Sequence, residues 1–167
     1  MIKVGDTVPD AALSEFVETE GNGCSVGPNS FQVKDLTAGK TIAVFGLPGA
    51  FTPTCSAKHV PGYIEHAKDL EKKGVAEIWC VSVNDPFVMG AWARDVGSAG
   101  KVRMMADGSA KWTKALGLEL DLTERGMGVR SQRYSMLLKD GKVVSLNVEA
   151  PGKFEVSDAA TLLTQIA

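Results

Sequence analysis

Cysteine is scarce in this chain of 167 residues, and the three present, Cys24, Cys55 and Cys80, make an odd number. That excludes the dense disulfide framework of a small secreted domain and fits a reducing, cytoplasmic setting in which thiols are kept for chemistry or packing. Histidine is scarcer still. His59 and His66 with one nearby thiol form an incomplete ligand set, so no metal site is expected. No run of Lys or Arg follows a phosphate backbone or an anionic surface, and 18 basic against 20 acidic residues leave a formal charge of -2. Neither nucleic acid nor membrane is an expected partner. The longest apolar runs are strand-sized, and Met1 to Asp6 has no apolar segment behind a basic start. Repeats, low-complexity tracts and an interdomain linker are all missing, so residues 1–167 read as one domain with one core.

What is there is an alternation of strands and helices. Thr41–Leu47 is a β-rich apolar run that ends at Pro48-Gly49, which makes it a buried strand feeding a loop, Pro48 to Thr54. From Cys55 to Lys73, Val60, Ile64, Ala67 and Leu70 recur at helical spacing, with Pro61 kinking the helix or marking its first turn. Glu77–Val83 is the next strand, and Phe87–Val96 the next helix. Strand, helix, strand in this order is a βαβ unit, which places the loop before Cys55 at the carboxyl edge of a parallel sheet. Val102–Ala106 and Ala110–Leu116 read as a further strand and short helix. Gly117–Arg130 is polar and glycine-rich and is expected to be an irregular loop. Asp140-Gly141 then marks an antiparallel hairpin of Arg133–Leu138 with Val143–Val148. Ser157 can cap a last helix over Asp158–Ile166. The fold expected is α/β and thioredoxin-like: a central mixed sheet flanked by helices on both faces, with an N-terminal extension.

Cys55 sits where a loop enters a helix, facing unpaired backbone N–H groups and the positive end of the helix dipole. Both favour the thiolate, the reactive form of cysteine. In Thr52-Pro53-Thr54-Cys55 a threonine stands where a C-x-x-C pair would have its first thiol, so no local disulfide can form. The Thr52 hydroxyl can accept a proton-bearing group and donate to the sulfur. Pro48 and Pro53 stiffen the loop. Arg130 and Arg133 compete as the cationic partner; three residues apart in an extended segment they point to opposite faces, so they are not both expected at the site.

Pro48-Gly49-Ala50-Phe51-Thr52-Pro53-Thr54-Cys55-Ser56 closely resembles the peroxiredoxin motif P-x-x-x-T-x-x-C, with flanking residues similar to the type II, peroxiredoxin-5 subfamily. The likeness continues through Lys58-His59-Val60-Pro61-Gly62, Ser82–Val88 and Arg133-Tyr134-Ser135-Met136. It implies a thiol-specific peroxidase that reduces hydrogen peroxide and organic hydroperoxides. Cys55 would be the peroxidatic nucleophile passing through a sulfenic acid, Thr52 would position the peroxide, and Arg133 rather than Arg130 would stabilise the thiolate. Pro48 and the backbone N–H groups of Thr54 and Cys55 would complete the peroxide site.

No cofactor is expected, only an external thiol. Some type II relatives carry a resolving cysteine near the C-terminus, where this chain has Val156-Ser157-Asp158. Cys80, at a position where plant type II enzymes also have a cysteine, is the internal candidate; burial in a strand argues for packing instead. Cys24 reads as an exposed loop thiol. A one-cysteine cycle resolved by glutathione or glutaredoxin follows, with thioredoxin second. Relatives commonly pair through loops at the active site, which implies a homodimer with Phe51, Phe87 and Val88 near the contact. Two other readings use the same thiol: a redox sensor or holdase, and a Cys/His hydrolase built on Cys55 and His59, whereas helix packing or a hydrogen bond near the loop is the reading taken for His59.

Overall fold

A computed structural model describes residues 1–18 and 25–166 of the chain; Cys24 lies outside them. Ala12–Val17 (β1) and Gly27–Gln32 (β2) form a hairpin, and Val33–Thr37 (α1) follows. These are the contents of the N-terminal extension, to which no elements were assigned from sequence.

Thr41–Leu47 (β3) falls where its apolar run predicts. The helical stretch after it is divided. Cys55–His59 is a π-helical turn, Val60–Glu65 (α2) is α-helical, and His66 separates it from Ala67–Lys72 (α3). The wide turn closes with the Val60 N–H donating to the Cys55 carbonyl. Pro61 has no N–H with which to continue ordinary α bonding onto Ala57. The one continuous helix expected over Cys55–Lys73 is therefore three segments.

Glu77–Ser82 (β4) runs parallel to β3, with Phe45 opposite Cys80. Pro86–Val96 (α4) starts at Asp85, whose carboxylate accepts the Val88 N–H at 2.8 Å, and ends at Gly97 in the left-handed region. Arg103–Ala106 (β5) and Lys111–Leu116 (α5) come next.

Gly117–Arg130 is not an irregular loop. Glu119–Leu122 (β6) and Gly128–Ser131 (β7) form a small antiparallel ribbon joined by a single 3₁₀ turn at Thr123–Arg125. Four residues per strand are too few to stand out against three glycines and five charges. Tyr134–Lys139 (β8) and Lys142–Val148 (β9) make the expected hairpin. Ala159–Thr164 (α6) is capped by Asp158, not Ser157: the Asp158 carboxylate takes the Thr161 N–H, while the Ser157 hydroxyl is turned to Glu149.

The main sheet has the order β2-β1-β5-β4-β3-β8-β9, with β3, β4 and β5 parallel and the outer pairs antiparallel. Alternation within the central strands divides the core in two. Ala43, Phe45, Leu47, Ile78 and Cys80 face a layer holding Val60, Tyr63, Leu70, Met89, Trp92 and Leu162. Ile42, Val44, Trp79 and Val81 face Val33, Trp112, Leu116 and Tyr134. Helices cover both faces of a mixed sheet, the thioredoxin-like arrangement expected.

Candidate active site

β3 ends at Leu47 and delivers the chain into the loop that carries the candidate residues. Gly49 lies so close to Arg130 that a Cβ there would come within 2.5 Å of Nη1. Phe51 takes a left-handed conformation, φ 63°. Two hydrogen bonds shape the loop: the Ala50 N–H donates to Asn84 Oδ1 at 2.9 Å, and the Thr52 hydroxyl donates to the Gly49 carbonyl at 2.7 Å. The hydroxyl's proton is thus occupied and its oxygen is left to accept, so Thr52 does not make the expected donation to sulfur.

Cys55 opens the π-helical turn and is fully buried. Its sulfur lies in the core cluster with Phe45 and Tyr63 and takes a hydrogen bond from Arg133 Nη2 at 3.1 Å. Arg133 comes from the short connection between β7 and β8, not from within a strand, so alternation does not govern where it and Arg130 point. Both lie along the loop. Arg130 uses its Nε on the Met127 carbonyl at 2.8 Å and its Nη1 on the Pro48 carbonyl at 3.3 Å, which makes it a brace beneath the loop rather than a partner of sulfur.

The second arm of Arg133 meets His59. Nη1 lies 2.9 Å from His59 Nδ1, while Nε2 lies 3.0 Å from the Ser157 carbonyl. A guanidinium only donates and a carbonyl only accepts, so His59 must be neutral with its proton on Nε2. Burial above all, and then the Arg133 charge, hold it down to a pKa of about 3. Phe45 and Phe154 pack tilted against its ring at 4.8 and 4.9 Å, and the Arg133 guanidinium lies over Phe154 at 5.8 Å. A base for a hydrolase needs a histidine able to take a proton from its nucleophile; here both ring nitrogens are spoken for. His66 is apart, paired with Asp69, and among the described residues no group of three His, Cys, Asp or Glu could hold a metal ion.

A cleft of about 360 Å³ opens onto Pro48, Thr54 and Arg133, with Leu120, Pro151 and Phe154 among its other walls. Cys80 is buried in mid-strand in the same core cluster as Cys55. Burial first, and the neighbouring Cys55 next, push its thiol well up.

A family model, Redoxin, matches residues 3–163. Peroxiredoxin-2B of Arabidopsis thaliana is 52% identical over 162 residues, 97% of this chain and 96% of that protein. The chain belongs to the redoxin family, as a type II peroxiredoxin. It is accordingly a thiol peroxidase. Among solved structures, reduced Prx3 of Vibrio vulnificus in complex with hydrogen peroxide is 48% identical with a TM-score of 0.91, over 100% of both chains. Peroxiredoxin 5 from Alvinella pompejana is 36% identical with a TM-score of 0.84, over 99% of this chain and 98% of that one.

The residues not found from sequence in this peroxiredoxin are those behind Arg133: His59 as its acceptor, Ser157 behind His59, and Glu149 behind Ser157. A histidine four residues after the cysteine was visible, but its partner is 74 positions away and no spacing rule reaches it.

Proposed function

We propose that Cys55 reduces hydrogen peroxide and organic hydroperoxides as the nucleophile of a one-cysteine cycle within a single domain. The observation that carries this reading is the Arg133 Nη2 to Cys55 Sγ contact of 3.1 Å, a permanently charged donor on a buried sulfur. The thiolate attacks one peroxide oxygen, the O–O bond breaks, and the departing oxygen takes a proton to leave as water or an alcohol. Cys55 is left as a sulfenic acid, two electrons more oxidised. Arg133 stabilises charge on both the sulfur and the departing oxygen. The lone pairs of Thr52 accept the peroxide O–H, and the N–H groups of Thr54 and Cys55, in the first helical turn, donate to the peroxide oxygens beside Pro48.

The reductant is an external thiol, glutathione with glutaredoxin before thioredoxin. Support comes from the environment of Cys80: a fully buried thiol with a raised pKa in a central strand is a poor nucleophile. A thiol condenses with the sulfenic acid to give a mixed disulfide and water, and a second thiol restores Cys55. Because the Cys55 sulfur is covered, the π-helical turn must open for a tripeptide to reach it. Exposed Phe51 and Phe87, with Val88 beside them, fit a homodimer contact at this edge, and two buried free thiols suit a cytoplasmic setting. No helix among the described residues is long and apolar enough to cross a membrane.

Purified protein given one equivalent of peroxide, then glutathione, is followed by mass spectrometry. The expected products are a sulfenic acid on Cys55 and then a glutathione adduct there, with Cys55→Ser inert; peroxide consumption by that variant would overturn the reading, and a Cys55–Cys80 bridge would overturn the external reductant.

A further inference from the structure

Glu149, at the end of β9, is nearly buried, and among the described residues no basic side chain pairs with it. Its carboxylate is instead closed by four donors from one turn: the N–H groups of Glu155, Val156 and Ser157 at 2.8 to 2.9 Å and the Ser157 hydroxyl at 2.7 Å. Burial raises its pKa, but these bonds outweigh that and hold the carboxyl below its ordinary value. The turn so gripped presents the Ser157 carbonyl to two donors of the helical layer, His59 Nε2 at 3.0 Å and the Tyr63 hydroxyl at 2.9 Å.

From Ser157 the connection runs on to the sulfur. His59 Nδ1 accepts from Arg133 Nη1, and Arg133 Nη2 donates to Cys55 Sγ. It also closes on itself, because the Glu149 N–H donates to the Arg133 carbonyl at 2.9 Å. Glu149 therefore holds Arg133 at both ends, the main chain directly and the guanidinium through Ser157 and His59. Every link has a fixed direction. The Ser157 carbonyl can only accept, so it holds the proton on Nε2, and that leaves Nδ1 as a bare acceptor for the guanidinium.

We propose that Glu149 is a positioning residue for the peroxidase: by clamping the 155–157 turn it fixes the tautomer of His59 and thereby the aim of Arg133 at Cys55. This rests on the reading of Cys55 as the peroxide-reducing thiol. The carboxylate matters here as a convergent acceptor for N–H groups. Gln has a single acceptor oxygen and turns an NH₂ toward the donors, so Glu149→Gln loosens the turn at little change in volume.

The test is a double-mutant cycle read by the rate of Cys55 oxidation, together with ¹⁵N NMR of the His59 ring. In the Arg133 background Glu149→Gln is expected to slow oxidation by about 10- to 100-fold, as misplacement of a catalytic group does, and in the Arg133→Gln background by less than about threefold. The His59 ring should change from a single Nε2–H tautomer to a mixture. Equal losses in both backgrounds, or a His59 signal identical to wild type, would overturn the proposal, since a residue that merely stabilised the turn would act independently of Arg133. If Glu149→Gln does not fold, Ser157→Ala, which removes one donor and keeps the carbonyl, enters the same cycle with a smaller expected loss; absence of coupling there would overturn it as well. The two readings fail separately: peroxide reduction by Cys55→Ser would end the peroxidase reading, while the His59 tautomer would still test the role of Glu149 independently.

Discussion

Arg133 uses two arms of one guanidinium for two tasks, Nη1 against His59 and Nη2 against the Cys55 sulfur. A lysine could supply the charge but only as a point, without the fixed fork that ties the two contacts together. Arg133→Gln is therefore expected to lower the second-order rate of Cys55 oxidation by about 10²- to 10³-fold, the loss typical of a donor to a developing anion. Arg133→Lys should recover only a small part of it. Arg130→Gln removes the brace under Pro48 and nothing at the sulfur, so stopped-flow oxidation should slow by less than about tenfold. An inverted ranking of the two arginines would remove Arg133 from the role proposed for it. From residues alone the two were indistinguishable; what separates them is the break between β7 and β8, a tertiary feature that strand alternation does not encode.

Elements were legible where a periodic pattern was long or a turn had its own chemistry. β3, α4 and the β8–β9 hairpin lie within a residue or two of expectation because apolar runs and Asp-Gly or Asp-Pro punctuation mark them locally. The β6–β7 ribbon and the β1–β2 hairpin were not legible, being strands whose half-buried faces are set by what packs on them. Two glycines flanking the Leu47–Pro48 junction show the same contrast in energetic terms. A Cβ on Gly46 would come within 2.1 Å of the buried Tyr134 ring across the β3–β8 pair. A Cβ on Gly49 would press on the far end of the Arg130 side chain, whose 3.3 Å bond to Pro48 can yield, and would meet Thr52 Cγ2 only at 3.5 Å, an ordinary contact. Gly46→Ala is thus expected to cost about 1–3 kcal/mol or more through overpacking, and Gly49→Ala well under that, in urea unfolding at unchanged slope. Similar midpoints for the two would mean the Tyr134 ring yields more easily than its fully buried position implies.

For the molecule as a whole, the site links catalysis to acid stability, because the His59 that receives Arg133 is folded into the core as a neutral ring. Its pKa is about 3 in the folded protein against 6.5 for an ordinary histidine, so between those values the unfolded chain binds a proton that the folded one does not. Its contribution is complete above pH 6.5 and is lost as pH falls toward 3, at most about 4–5 kcal/mol over the full window. The carboxyls of Glu77 and Glu149 are held below their usual range. Their contributions are present above about 4.5 and begin to be lost only as pH falls past it. With His66, the partner of Asp69, replaced by Asn in both proteins compared, the interval from pH 6.5 to 4.5 reports on His59. Urea midpoints measured across it should fall steadily with His59 in place, whereas His59→Gln, which keeps a donor toward Ser157 but cannot take up a proton, should give a nearly flat line from a lower starting stability. An equally steep line for His59→Gln would show that another group carries the slope, and would remove the neutral, core-held His59 on which the aim of Arg133 depends.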